Sequence, residues 1–504
     1  MKNLRLLSAL IALLLSLSAL AAQPVVKTPI GLIRGSDEAG ILTFKGIPYG
    51  RAPLGELRWA PPQAQPVHDG VLDATTLGPA CLQTLPADST RRTSEDCLNL
   101  NVWTPALDGT PRPVMVWIHG GGLRAGSSDI PGQVFAERGL VVVSINYRLG
   151  PLGFFAHEAL SGLDANPAIA DMILALQWVA QNIKSFGGDP DNVTIFGVSA
   201  GGMAVNLLMV SEAATGLFHR AIAQSGYATW ALPRSRHAPA ADIRAMNGEP
   251  AAAAETLAAE LVASVDPDAD TRAELYALDG QALVDALDGF QLPIVDGSSL
   301  PEEPGLLFLA GRQHAVPYIT GGNSFEGSVM PASGISIDEY AHYLADELDT
   351  AEVLYADDFT LGRKTGLMRM FGDNRYLLSA RVLGGAMQQK TARAWLYYVD
   401  FVPPSQAANW LGTPHGMDAY MLFSDPVSDE TVTRNLIERM RTYWSNFART
   451  GNPNGDGLLN WPAYDPATDL WLIFSTRDAL GEKVLADKLD LLEAHYRNRT
   501  RRTP

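Results

Sequence analysis

The sequence predicts an α/β protein, one large and mostly parallel sheet with helices on both faces. Six short runs are almost continuously apolar, β-branched or aromatic. A strand covered on both faces reads this way, because neither side of it meets water. Amphipathic helical stretches alternate with these runs, which is the pattern of helices packed over a sheet. With 504 residues, 47% of them hydrophobic, the chain can bury such a sheet completely.

The chain begins MKNLRLLSALIALLLSLSALAAQP. Lys2 and Arg5 precede an apolar stretch that ends in Ala19-Leu20-Ala21, a small-residue cleavage pattern. Residues 1–21 are therefore expected to be a cleaved signal peptide, giving a secreted or periplasmic protein. No later run approaches the ~20 apolar residues of a spanning helix, so no membrane insertion is expected after cleavage. The formal net charge is −17. Losing Lys2 and Arg5 makes the mature chain more negative still, and such a surface repels nucleic acid and anionic membranes.

Only two cysteines occur, Cys81 and Cys97. In an oxidising compartment they can pair, closing a loop of about 15 residues; two buried thiols are the alternative. The expected strands are VMVWI (Val114–Ile118), LVVVSIN (Leu140–Asn146), VTIFG (Val193–Gly197), VPYIT (Val316–Thr320), WLYYVDF (Trp395–Phe401) and LWLIF (Leu470–Phe474). In AIADMILALQWVAQNIK, Ile169, Met172, Ile173, Leu176, Val179 and Ile183 share one helical face. Leu436, Met440, Tyr443, Trp444 and Phe447 do the same in RNLIERMRTYWSNFAR. An acidic, Ala-rich stretch from about 235 to 292 reads as a helical insertion within a single catalytic domain, 22–504. No linker isolates it.

The chemistry is concentrated around FGGDPDNVTIFGVSAGG, which ends in a G-x-S-x-G match at Ser199. Three fixed positions recur by chance, so context decides. VTIFG reads as a strand and AGGMAVNLLMV as a helix, and strand, sharp turn, helix is a nucleophile elbow. Glycines at 197 and 201 relieve the crowded turn, and the Ala200 N–H opens the helix beside a developing oxyanion. His119-Gly120-Gly121-Gly122 follows the strand VMVWI. Three glycines alone could be a structural turn; upstream of an elbow they read as an oxyanion loop, with Gly121 and Gly122 donating.

With these residues in view, the chain resembles the type-B carboxylesterases, the α/β-hydrolases that include cholinesterases and para-nitrobenzyl esterases. FGGDPDNVTIFGVSAG matches the serine signature of that family, and SEDCLNLNVW resembles its second signature around a disulfide cysteine. FKGIPYGRAPLGELRWAPP, VWIHGGG, NYRLGPLGFFA, FHRAIAQSG, TGNPN and WPAYDP look like further family segments. The likeness runs from about Gly31 to Asp465. It implies an α/β-hydrolase fold and hydrolysis of neutral carboxylic esters through an acyl-serine, with no metal or organic cofactor and a small-molecule ester as partner. Specialised feruloyl, polyester or toxin esterases, lactonases and amidases use the same triad; a non-catalytic, neuroligin-like adhesion protein would have lost it. Nothing in the sequence states an oligomeric state.

The resemblance also distributes roles. Gly321-Gly322-Asn323-Ser324-Phe325-Glu326-Gly327 is similar to the family's acid loop, which makes Glu326 the orienting acid. Of the three later histidines, His342 falls in a surface helix and His495 in the charged C-terminus. His415, in Pro414-His415-Gly416, resembles the family's base. Ser225 looks like a support for the acid, or an ordinary strand-end hydroxyl. Val198 stands where most relatives have glutamate, which removes a charge beside the nucleophile. The Cys81–Cys97 loop has Arg91 and Arg92 and no aromatic residue, and Val329 and Met330 replace the aromatics of cholinesterases. No cation–π cage is then expected. The pocket should be apolar, with Trp230 a candidate wall of the acyl side or simply core.

Overall fold

A computed structural model describes residues 23–239, 243–246, 252–344, 347–390, 392–424 and 430–500. The segment 1–21, expected to be a signal peptide, lies outside them. Among the described residues, no helix is long and apolar enough to cross a membrane.

Eleven strands form the central sheet. They are β1 (Ser36–Glu38), β2 (Ile41–Pro48), β3 (Asn99–Thr104), β4 (Arg112–Ile118), β5 (Val141–Ile145), β6 (Gly188–Val198), β7 (Arg220–Gln224), β8 (Tyr318–Asn323), β9 (Ala394–Val399), β10 (Leu470–Phe474) and β11 (Ala479–Glu482). Their order is β1-β2-β3-β5-β4-β6-β7-β8-β9-β10-β11. Pairing is parallel from β5 through β10 and antiparallel at both margins. All six expected strands are present. The marginal strands and β7 were not expected, because their polar residues dilute the apolar run.

The helices that bear on the site are α1 (Pro167–Asn182), α2 (Ala200–Met209), α3 (Ala254–Val265), α4 (Arg272–Ala277), α5 (Gly280–Asp285), α6 (Arg363–Gly372), α7 (Leu378–Ala386), α8 (Met417–Phe423), α9 (Thr431–Thr450) and α10 (Ala486–Arg499). The sheet residues alternate between two cores. Val114, Val116 and Ile118 of β4 join the core under α1, α2, α7 and α10. Met115 and Trp117 join the core under α9, where Leu436, Met440, Tyr443, Trp444 and Phe447 pack. The period of two survives inside strands that look uniformly apolar. Between β7 and β8, helices α3, α4 and α5 pack on Trp59, Leu152 and Phe155 as a third cluster.

Cys81 and Cys97 form a disulfide. This resolves the alternative of free thiols. Arg91 and Arg92 are exposed on the loop it closes.

Candidate active site

Ser199 sits between the end of β6 and the start of α2, at φ 58° and ψ −121°. A left-handed φ is strained for a residue with a Cβ, and the surroundings must hold it there. The Ser199 N–H donates to the Gln224 carbonyl of β7 at 2.8 Å, and its own carbonyl accepts from Met203 at 2.8 Å. Space is the second condition. A Cβ on Gly197 would lie 2.5 Å from the Ile118 carbonyl oxygen, and one on Gly201 would clash with that same oxygen more closely still. Only glycine at both places lets the elbow close against β4.

The HGGG segment lies across from the elbow. Gly121 and Gly122 have φ of 111° and 63°, and the ring of Phe290 occupies the space a Gly122 side chain would need. Gly121, Gly122 and Ser199 line one cavity of about 810 Å³ with Val198, Val329 and His415. Ala200 is the first residue of α2. His119 is buried, stacked on Tyr147 with ring centroids 4.4 Å apart, and its Nδ1 contacts the Gly120 carbonyl at 2.9 Å. Burial holds its imidazole down to about 4, against the pull of that carbonyl, so it is neutral near pH 7.

Two loops bring Glu326 and His415 together. Phe325 N–H donates to the Thr413 carbonyl, Thr413 N–H to Ser324 Oγ, and His415 N–H to Ser328 Oγ at 2.9 Å. The loop carrying Glu326 and the loop carrying His415 are thus laced along their length. His415 Nδ1 hydrogen-bonds Glu326 Oε2, while Nε2 is buried without a partner. Glu326 Oε1 accepts from Ser225 Oγ at 2.6 Å, Asn323 N–H at 2.6 Å and Asn323 Nδ2 at 3.0 Å.

Behind this carboxylate lies another that sequence reasoning missed. Asp418 is fully buried and accepts from Tyr397 Oη at 2.5 Å, Asn323 Nδ2 at 3.1 Å and Gln224 Nε2 at 3.1 Å. Burial raises its pKa, and the Glu326 charge adds to the effect. Its signal was present, three residues after His415, but nothing local gave it a role. Tyr376 was missed as well. Its ring packs on His415 with centroids 4.4 Å apart, and its hydroxyl is buried without a hydrogen-bond partner.

The expected pocket residues divide. Trp230 is buried, edge-on to Phe371, and lines a second cavity of about 730 Å³. Val329 lines the cavity of Ser199. Met330 does not; it is packed in the core. The residues after Glu326 form a 3₁₀ helix, Glu326–Ala332. Its three-residue repeat turns Val329 and Ala332 to the cavity and Met330 inward. His342 is exposed on its helix, and His495 pairs with Glu347 at 3.1 Å; neither lines the cavity of Ser199.

A serine on an elbow, a glycine loop facing it and a histidine–carboxylate pair, all on an α/β-hydrolase sheet, define the class: a serine hydrolase. The model of the carboxylesterase family matches residues 22–491. The chain is 32% identical to the para-nitrobenzyl esterase of Bacillus subtilis, over 90% of this chain and 95% of that protein. It is 33% identical to carboxylesterase 1F of Mus musculus, over 88% and 89%. Among solved structures, a PNB esterase superposes with TM-score 0.79 at 29% identity, covering 94% of this chain and 100% of the other. The chain belongs to the carboxylesterase family, and it is a serine carboxylesterase acting on small ester substrates.

Proposed function

We propose that Ser199 is the nucleophile, His415 the general base and Glu326 the orienting acid. The observation that carries this assignment is His415 itself. Its Nδ1 is held by Glu326, its Nε2 is left without a partner, and it lines one cavity with Ser199. Nε2 takes the Ser199 proton as Oγ attacks the ester carbonyl. The carbonyl electrons move to the oxygen, where the backbone N–H groups of Gly121, Gly122 and Ala200 receive them. Collapse expels the alcohol, which leaves with the proton from His415. Water then repeats the sequence on the acyl-serine and releases the acid. Ser225 and Asn323 hold the Glu326 carboxylate in place.

The substrates are esters without a cationic alcohol, since Val198 and Val329 present neither charge nor π-face to the cavity. The enzyme acts as one catalytic domain, 22–504, exported under the direction of residues 1–21 to the periplasm or the medium. A disulfide and an N-terminal basic-then-apolar segment support export. Ser199→Ala should fold normally and lose activity by on the order of 10⁴- to 10⁶-fold. Intact-mass measurement after an organophosphate should show one adduct on the wild type and none on the variant. An adduct retained by Ser199→Ala would overturn the assignment, and active protein retained in the cytoplasm with residues 1–21 still attached would overturn the localisation.

A further inference from the structure

Among the described residues, the buried arginines are matched with carboxylates, with one exception. Arg148 pairs with Asp171 at 2.6 Å, Arg499 with Glu303 at 2.7 Å and Arg58 with Glu95 at 2.8 Å. Arg375 is 1% exposed and makes no ion pair among the described residues. Its Nε and Nη2 are buried without a hydrogen-bond acceptor. The guanidinium stands among aromatic faces instead, 4.3 Å from the ring centre of Tyr227, 4.7 Å from Trp230, 5.5 Å from Phe290 and 5.8 Å from Phe371. Ring quadrupoles attract a cation from above, but they cannot accept its in-plane N–H bonds. A cation left this way has given up water and gained no anion, which a fold tolerates where a ligand supplies the missing partner.

The position of Arg375 says which ligand. It lines the cavity of about 730 Å³ together with Trp230, Phe290, Leu292 and Ile335, and no other cation lines that cavity among the described residues. Glu260 and Asp288, the carboxylates along its wall, are exposed residues and form no ion pair with Arg375. Phe290 and Asp288 also line the cavity of Ser199, and Phe290 packs directly on Gly122 of the oxyanion loop. Only the thickness of one ring therefore separates the guanidinium from the loop that faces the scissile carbonyl. The next residue, Tyr376, packs on His415. Trp230, on which Arg375 rests, is the residue that the sequence offers as either a wall of the acyl side or plain core, and it lines this cavity.

We propose that Arg375 is a subsite for a carboxylate at the far end of the acyl chain, so that the preferred substrates are monoesters of dicarboxylic acids. The inference rests on the esterase reading above and narrows its substrate class. The aliphatic middle of the chain would lie along the apolar wall, and the fork of Arg375 would take the terminal carboxylate in two parallel bonds. Hydrolysis adds one water across the ester and releases the free diacid and the alcohol.

The test compares monoethyl adipate with ethyl hexanoate, which have acyl chains of equal length, by ethanol release at neutral pH. The wild type should show a kcat/KM ratio of roughly 10 to 100 in favour of the hemiester, as a desolvated charged hydrogen bond is worth. Arg375→Met should abolish that ratio while changing ethyl hexanoate turnover by less than about three-fold. Arg375→Lys keeps the charge and loses the fork, so its ratio should lie between the two; it serves if the methionine variant does not fold. A wild-type ratio at or below one, with ethyl hexanoate turned over, overturns the subsite and leaves the esterase intact. An unchanged ratio in either variant overturns it too. Failure to hydrolyse either ester would instead remove the esterase reading.

Discussion

Ser225 and His119 each have one effect whose loss can be read separately. The Ser225 hydroxyl donates to Glu326 Oε1 at 2.6 Å inside a fully buried network. Ser225→Ala removes one charged hydrogen bond and leaves Asn323 in place, so kcat should fall about 10-fold with KM little changed. An equal rise in KM would mean the hydroxyl serves substrate binding. His119 matters for stability. Unfolded, it titrates near ~6.5; folded, burial holds it to about 4. Between these values the unfolded chain takes up a proton that the native state refuses, so stability is full above the upper value and falls as pH drops towards the lower. The whole shift corresponds to about 3 kcal/mol. Denaturant unfolding at pH 7 and pH 5 should therefore differ less for His119→Asn than for the wild type, by about 2 kcal/mol. Parallel losses in the two proteins would show that His119 is not the group responsible.

The elbow is a contact between two elements, the end of β4 and the start of α2, and Gly201 sets how near they come. An alanine Cβ there would clash with the Ile118 carbonyl oxygen, well inside contact distance, and that oxygen belongs to backbone and cannot swing away. Gly201→Ala should lose several kcal/mol of stability or fail to accumulate as folded protein. Gly385 lies in α7 with only Pro466 Cγ near, at 3.6 Å, so Gly385→Ala should raise stability by up to about 1 kcal/mol through helix propensity. Thermal unfolding of the pair, with opposite signs, separates steric closure from a general intolerance of glycine replacement. Elements of this kind were legible in the sequence where the constraint is local. β6, the elbow and α2 are contiguous and carry their own glycines, and Glu326 and His415 each sit in a short loop after a strand. Arg375 and Tyr376 come from the helical run of α6 and α7, where one arginine and one tyrosine look like any others. The aromatic cage and the histidine that give them meaning arrive from the segment after β7, from α6 and from two distant loops. Met330 was misread for a related reason: a 3₁₀ repeat, invisible in composition, decides that its neighbour Val329 faces the cavity instead.

At the scale of the whole molecule, the net charge of −17 and the interior of the site favour different substrates. A strongly negative surface concentrates cations near it and speeds their encounter, and salt screens this over ~8 to 10 Å. Choline esters should thus arrive readily. Once inside they meet Val198 and Val329, which offer neither charge nor π-face, and the carboxylate and ring of that cavity, Asp288 and Phe290, share their cavity walls with the cations Arg124 and Arg375, which repel a third. Desolvating a quaternary ammonium without a partner costs several kcal/mol, whereas a neutral alcohol of the same size gains from burial. The encounter and the chemistry can be told apart by ionic strength. Butyrylcholine should show a lower kcat/KM than a neutral butyrate of matched leaving-group pKa, and the choline value should fall further as salt is added while the neutral one stays flat. The deficit should lie in kcat as well as KM, because a misplaced alcohol withdraws the leaving oxygen from His415. If butyrylcholine is the better substrate at high salt, where steering no longer helps it, Asp288 or Phe290 must hold the cation in the cavity, and the account of Val198 as a residue that decides against cationic alcohols falls with it.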